Sequence, residues 1–237
     1  MGCRLLLVGV AVLAVSAPVA GRGNAAAPLR LPTATSTVTV SQGGRSFAAR
    51  LVRPAKAGTY PVIAFGHGFA QSPSRYASML TAMASRGYIV IAPNSEAGLF
   101  PSHGRLAEDL WISLSWARKN VRGASATRDA VGGHSMGGGA ALVAADRRPA
   151  IDAVLTLAAA ETTPSSTTAA AGIGAPALFV VGTQDDIVAP ATTRAMFTAK
   201  PPPATFASII GGYHCGFNDS TSFLGLGCDS GSIGRSR

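Results

Sequence analysis

Charge is scarce in this chain. Only 13% of its 237 residues are Asp, Glu, Lys or Arg, and aromatic residues make up 6%. With an apolar fraction of 47%, this composition excludes a disordered chain and leaves a globular one long enough to bury a large core. Acidic residues are scarcer than basic ones, 11 against 20, which sets the formal charge at +9. Runs of basic residues are missing too. Arg30, Arg45, Arg50, Arg53, Arg75, Arg86, Arg105 and Arg118 are scattered and do not interleave with aromatics. No nucleic-acid partner is therefore expected, and the charge reads as general surface charge that favours contact with anionic envelopes or acidic polymers. H-E-x-x-H, paired C-x-x-C and clustered carboxylates are all absent, so no metal is expected. No G-x-G-x-x-G follows a strand pattern, so no dinucleotide and no other cofactor is expected. There is no internal repeat, no second domain boundary and no insertion long enough to form a large lid.

One apolar run is an exception to the general pattern. Leu5 to Ala17 follows a basic start at Met1 to Arg4 and is too short to span a bilayer comfortably, as a secretory signal is. Small residues from Ala20 to Ala27 supply the cleavage region. The expected organisation is a signal peptide and leader over residues 1–27 and one domain over 28–237, exported, monomeric and without an integral membrane span once the signal is removed. Cysteine is sparse as well. Cys3 precedes the apolar run, where a lipid-anchoring cysteine cannot lie, so the exported chain keeps Cys215 and Cys228. An even pair in an oxidising compartment suggests a disulfide.

What the sequence does contain is centred on Val131-Gly132-Gly133-His134-Ser135-Met136-Gly137-Gly138-Gly139. The stretch holds a G-x-S-x-G pentapeptide. Asp129 to Val131 before it reads as a short buried strand, and Ala140 to Ala145 after it as a helix. Strand, sharp turn and helix together make a nucleophile elbow, in which the serine hydroxyl stands clear of the sheet. Apolar runs recur elsewhere at Pro61–Phe65, Tyr88–Ala92, Ala153–Leu157, Ala177–Val181 and Thr205–Ile210. Helical stretches are expected between most of them, at Ser74–Arg86, Leu106–Asn120, Met136–Asp146 and Ala191–Phe197. Continuous apolar strands alternating with helices predict an α/β chain with a mostly parallel sheet covered on both faces. Ahead of it, Thr37–Val40 and Ser46–Val52 alternate around Gly43-Gly44 as an opening hairpin, and Ala25–Thr37 reads as an exposed leader.

A serine hydroxyl needs a base, an acid to orient that base, and donors for the developing oxyanion. In an open parallel sheet these come from loops at the carboxyl ends of strands. His214, in Gly211-Gly212-Tyr213-His214-Cys215, follows the last apolar run and is the expected base. His67 and His103 precede the serine, and His134 adjoins it but is expected to point elsewhere by strand alternation. The acid belongs to the turn after Ala177–Val181, where Asp185 is favoured over Asp186 and Ile187-Val188 is expected to return into the core. One oxyanion donor is the amide of Met136 at a helix N-terminus. The other is expected from Phe69 in Gly66-His67-Gly68-Phe69. Trp111 and Trp116 sit at helical spacing and read as core.

In this order and spacing, G-H-G-F, G-H-S-M-G-G, G-T-Q-D-D-I-V-A-P and G-G-Y-H resemble the α/β-hydrolase superfamily. The closest likeness is to its secreted bacterial cutinases and polyester hydrolases, with dienelactone-hydrolase-like and chlorophyllase-like esterases nearby. The resemblance spans about Ser41 to Asn218. It implies Ser135 as nucleophile, His214 as base, Asp185 or Asp186 as acid, and Phe69 and Met136 as oxyanion donors. The implied activity is hydrolysis of a small or polymeric ester. A peptidase, an acyltransferase and an impaired binding protein of the same fold stay open as alternatives. Two features depart from the pattern. Polyester hydrolases carry a tryptophan just past the strand after the elbow, where this chain has Ala158-Ala159-Ala160-Glu161-Thr162-Thr163. The family also ends in a long helix, whereas Asn218 to Arg237 is mostly serine and glycine. That C-terminal helix is expected to be missing or truncated, leaving apolar sheet surface uncovered.

Overall fold

Thr33–Gln42 (β1) and Arg45–Pro54 (β2) form an antiparallel hairpin. Its two-residue turn is Gly43-Gly44, at φ 60° and 76°, the positive values that a turn matched to strand twist requires. In this computed structural model the described residues are 30–219, together with the backbone of the strand pair Ser222–Phe223 and Leu226–Gly227. The expected signal and leader, Cys228 and the serine- and glycine-rich end lie outside them. β1 begins at Thr33, inside the stretch expected to be an exposed leader, because Thr33 to Ser36 pair with Leu51 to Pro54.

The remaining strands are Tyr60–Gly66 (β3), Ile89–Pro93 (β4), Ala124–His134 (β5), Val154–Leu157 (β6), Ala177–Gly182 (β7) and Ala204–Ile209 (β8). With the hairpin they make one sheet in the order β1-β2-β4-β3-β5-β6-β7-β8. β2 meets β4 antiparallel, and every pairing from β4 to β8 is parallel. The helices are Ala77–Ser85 (α1), His103–Asn120 (α2), Met136–Arg147 (α3), Ser166–Gly172 (α4) and Pro190–Ala199 (α5). The alternation of apolar runs and helices implied this mostly parallel sheet, and the motif resemblance implied its arrangement as the α/β-hydrolase fold.

Strand periodicity divides the core in two. Val62, Ala64, Ile89, Ile91 and Val131 face α2 to α5, where Leu106, Leu110, Leu114, Leu142 and Phe179 are buried. Ile63, Phe65, Val90 and Ala92 face the other way, onto Tyr76, Leu80 and Ala84 at the start of α1 and along it. Among the described residues α1 is the only α-helix on this second face, where Phe217 also packs. Towards β7 the cover thins, and Leu178 is 37% exposed.

The elbow is placed by close backbone approach. A Cβ on Gly137 would lie 2.2 Å from the Gly66 carbonyl oxygen, and one on Gly133 would lie 2.3 Å from Gly137. Only glycine lets β3, β5 and α3 meet this closely. β5 is longer than the three-residue approach read from the sequence. α4 was not anticipated, since its Ser-Thr-Thr-Ala-Ala-Ala-Gly carries no apolar periodicity. Its first turn is held instead by Glu161, whose carboxylate accepts from the Ser166 amide at 2.8 Å and the Thr167 amide at 3.3 Å. The tryptophans are half-buried rather than core. The Trp111 ring is in cation–π range of the guanidinium groups of Arg118 and Arg148, at 5.3 and 5.6 Å.

Candidate active site

Ser135 occupies the turn between β5 and α3 at φ 54°, ψ −121°. A non-glycine residue there is strained, and the surroundings hold it. Its amide donates to Leu157 at 2.9 Å, and its carbonyl accepts from Gly138, Gly139 and Ala160 at 3.0 to 3.1 Å. The elbow is thus fixed to the end of β6 as well as to its own helix. Met136, the next residue, opens α3, where first-turn amides have no intrahelical partner and face the positive end of the helix dipole.

The turn after β7 and the loop after β8 meet beside the elbow. Nδ1 of His214 lies 2.8 Å from Oδ2 of Asp185, with both side chains at most 2% exposed. The other oxygen, Oδ1, accepts from the amides of Ile187 at 3.1 Å and Val188 at 2.8 Å. Asp186 is exposed and points to solvent, and its carboxylate caps no helix among the described residues. Ile187 does not return into the core but is 42% exposed, since what this turn requires from it is its amide. The two loops are joined by their backbones, with the Gln184 amide on the Gly212 carbonyl at 2.9 Å.

On the other side lies Gly66-His67-Gly68-Phe69, directly after β3. His67 is fully buried, with Nδ1 2.8 Å from the Gly68 oxygen and Nε2 2.9 Å from the Ser95 oxygen. Burial pulls its pKa below the ordinary histidine value against the raising effect of the two carbonyls. The Gly68 oxygen also takes the Gln71 amide at 3.2 Å. The Gly68–Phe69 peptide is trans, so the Phe69 amide points away from that anchored carbonyl.

His134 was expected to point away from the chemistry. It is fully buried, yet it touches the expected base: its ring centroid is 4.5 Å from that of His214, and its Nε2 is 3.0 Å from the His214 carbonyl oxygen. Its Nδ1 is 2.9 Å from the Tyr76 hydroxyl. Nothing in the sequence brought Tyr76 to notice. His103 stays at the periphery, where Nδ1 accepts from the Thr163 amide at 3.1 Å. Cys215 is 4% exposed and disulfide-bonded, while its expected partner Cys228 lies outside the described residues. Among the described residues no group of histidines, cysteines or carboxylates could hold a metal ion, and no helix is long and apolar enough to cross a membrane.

The profile of the chlorophyllase family matches residues 30–160, more than half of the chain. The chain belongs to the chlorophyllase family. That match takes in the hairpin, the His67–Phe69 loop and the elbow, and ends before Asp185 and His214. Individual members and relatives agree. Chlorophyllase-1 of Arabidopsis thaliana is 35% identical over 104 residues, 40% of this chain and 32% of that protein. Cutinase est2 of Thermobifida alba is 28% identical over 182 residues, 73% of this chain and 59% of that protein. A bis(hydroxyethyl) terephthalate hydrolase of Streptomyces coelicolor is 31% identical over 141 residues, 58% of this chain and 44% of that protein. The chain therefore spans 32 to 59% of the length of these relatives.

Proposed function

We propose that this chlorophyllase-family protein is an exported serine hydrolase of carboxylic esters, working through an acyl-enzyme on Ser135. The observation that carries the reading is the buried 2.8 Å contact of His214 with Asp185 beside a strained serine elbow. Nδ1 of His214 faces a carboxylate and so carries the ring proton, which leaves Nε2 bare as the base. In the proposed reaction Nε2 takes the Ser135 proton as Oγ attacks the ester carbonyl carbon. The Phe69 and Met136 amides receive the negative charge on the carbonyl oxygen. The tetrahedral species collapses, the alcohol departs with the proton from Nε2, and water then releases the acid by the same steps in reverse. Asp185 stabilises the imidazolium formed in each half.

Three relatives, a chlorophyllase, a cutinase and a bis(hydroxyethyl) terephthalate hydrolase, support ester chemistry as the common denominator. Past β6 this chain has buried Ala158 and Ala159 and a Glu161 committed to α4, with no aromatic platform there. That favours aliphatic small or polymeric esters over aromatic polyesters. Export rests on the signal-like Leu5 to Ala17 run.

A fluorophosphonate probe and a chain-length panel of p-nitrophenyl esters test the reading. Ser135 is expected to be the labelled residue, and Ser135→Ala to lose ester hydrolysis by several orders of magnitude while keeping its thermal transition. Retention of more than about a tenth of the activity would reject Ser135 as the nucleophile.

A further inference from the structure

Two of the fully buried polar side chains that this chemistry leaves unused meet each other. Tyr76 and His134 are both 0% exposed. The Tyr76 hydroxyl oxygen accepts from the Gly68 amide at 2.9 Å, and its single proton lies between Nδ1 of His134, 2.9 Å away, and the Gln71 side-chain oxygen. The other ring nitrogen of His134 faces the His214 carbonyl. A carbonyl can only accept, so Nε2 carries the proton and Nδ1 is the bare nitrogen of a neutral ring. One continuous chain of hydrogen bonds therefore runs from the main chain of the oxyanion loop to the main chain of the base.

We propose that Tyr76 and His134 are positioning residues, a buried strut that sets the distance between the oxyanion loop at Gly68 and the base His214. The proposal rests on the Ser135–His214 reading given above. Three further observations bear on it. The residues around Tyr76 also hold the far end of the base loop: the Arg75 carbonyl accepts from the Asp219 amide at 2.6 Å, and the Ser78 amide donates to Oδ2 of Asp219 at 2.8 Å. The Phe217 ring, between those two ends, packs 5.7 Å from His134. The junction has no slack, since a Cβ on Gly68 would lie 3.1 Å from the Tyr76 oxygen and 3.3 Å from Nδ1 of His134. The start of α1 is thus a mount for residues 214–219, and His134 is the pin that joins it to His214 itself. An angstrom of drift between base and oxyanion donors costs catalysis far more than it costs folding.

Tyr76→Phe keeps the ring against Phe65, 5.2 Å away, and deletes the hydroxyl. With p-nitrophenyl butyrate, kcat is expected to fall roughly ten- to a hundredfold with KM within about twofold, and phosphonate labelling of Ser135 to slow in step. His134→Phe is expected to match it, and the double variant to be slower than either by no more than about twofold, because both break one strut. Nitrogen-15 NMR of the wild-type histidines provides a reading without substitution. His134 is expected as the neutral Nε2–H tautomer. A folded Tyr76→Phe with wild-type kcat overturns the strut, and so does an Nδ1–H tautomer at His134, which also decides the matter should both variants fail to fold. A wild type that neither labels nor hydrolyses esters sinks the hydrolase reading and the positioning role with it. An active wild type beside an unaffected Tyr76→Phe sinks the strut alone.

Discussion

One carboxylate oxygen of Asp185 lies 2.8 Å from Nδ1 of His214, while its other oxygen is pinned by the amides of Ile187 and Val188. The carboxylate is therefore oriented by the backbone of its own turn before it orients the imidazole. Asp186, one residue on, shares the turn but faces solvent. Asp185→Asn is expected to lower kcat for p-nitrophenyl esters by about a thousandfold or more, because an amide can present its NH2 to Nδ1 and so select the tautomer that leaves Nε2 protonated. Asp186→Asn is expected to stay near wild type. Equal mild effects from the two variants would remove Asp185 from the acid position.

Gly137 carries the tightest backbone contact of the elbow. A methyl group there would meet the Gly66 oxygen at 2.2 Å and the His67 oxygen at 2.7 Å, neither of which is the end of a flexible side chain. Gly137→Ala should then push β3 and its oxyanion loop away from α3, with a cost of about 3 kcal/mol or more and a loss of ester turnover. Gly98→Ala is the control, since nothing lies within 4 Å of a Cβ at that position. Denaturant midpoints of the two variants check the contrast. Wild-type stability in Gly137→Ala would mean that the elbow and β3 separate without penalty.

These two predictions stand on parts of the molecule that differ in how far they can be read from sequence. The parallel strands announce themselves, because burial on both faces demands the unbroken apolar runs seen at Val62–Phe65 and Ile89–Ala92. The elbow is equally legible, since Gly133 and Gly137 answer a steric demand that no other residue meets. The choice between Asp185 and Asp186 was harder. Both sit in one turn, and the backbone path after Gly182 decides which carboxylate turns inward. Hidden altogether was the Tyr76–His134–His214 contact, whose members stand 58 and 80 residues apart. Strand alternation turns His134 away from its neighbour Ser135 but carries no information about which loop lies on the other side. α4 escaped notice because Glu161 and Ser165 hold its first turn with polar caps rather than an apolar stripe.

Acid should destabilise the fold earlier than its carboxylates alone would require. Burial, reinforced by the neighbouring His214, holds the pKa of His134 well below the ordinary 6.5, and burial lowers that of His67. In the unfolded chain both rings bind a proton near pH 6.5, whereas the folded protein resists protonation until lower pH. The unfolded state thus binds more protons below about pH 6.5, so the stability these rings contribute is fully present above that value and is lost as pH falls. Each ring should add a slope of about 1.4 kcal/mol per pH unit between 6.5 and its own folded pKa. Glu96, whose pKa is lowered chiefly by its hydrogen bond from Arg105, adds a further loss below its ordinary 4.5. Urea midpoints at pH 7.5, 6.0 and 5.0 measure the trend, and His134→Phe should flatten it by one proton's worth. A stability that holds level from pH 7.5 to 5.0 would contradict the buried neutral state of His134.

Cys215 directly follows His214, the proposed base, is buried, and is held in a disulfide. We propose Cys228 as its partner, since removal of the signal proposed over residues 1–27 would take Cys3 with it and leave these two. A loop of that size should contribute about 3 kcal/mol by closure entropy, less any strain in the native state. Position gives the bridge a second effect. The chain between the two cysteines starts at a base loop already fastened at His214 through His134, and at Asp219 through Arg75 and Ser78. Reduction frees the segment after Asp219 without cutting those hydrogen bonds. The melting temperature is therefore expected to fall clearly, and kcat by a smaller factor than in Tyr76→Phe. Intact mass after alkylation of the exported protein, with and without reductant, reads the bridge, and turnover in the same samples reads its effect. Two alkylated thiols per chain before reduction would rule out the pairing. A kcat that collapses on reduction while Tyr76→Phe stays active would assign the anchoring of the base to the disulfide instead of the strut.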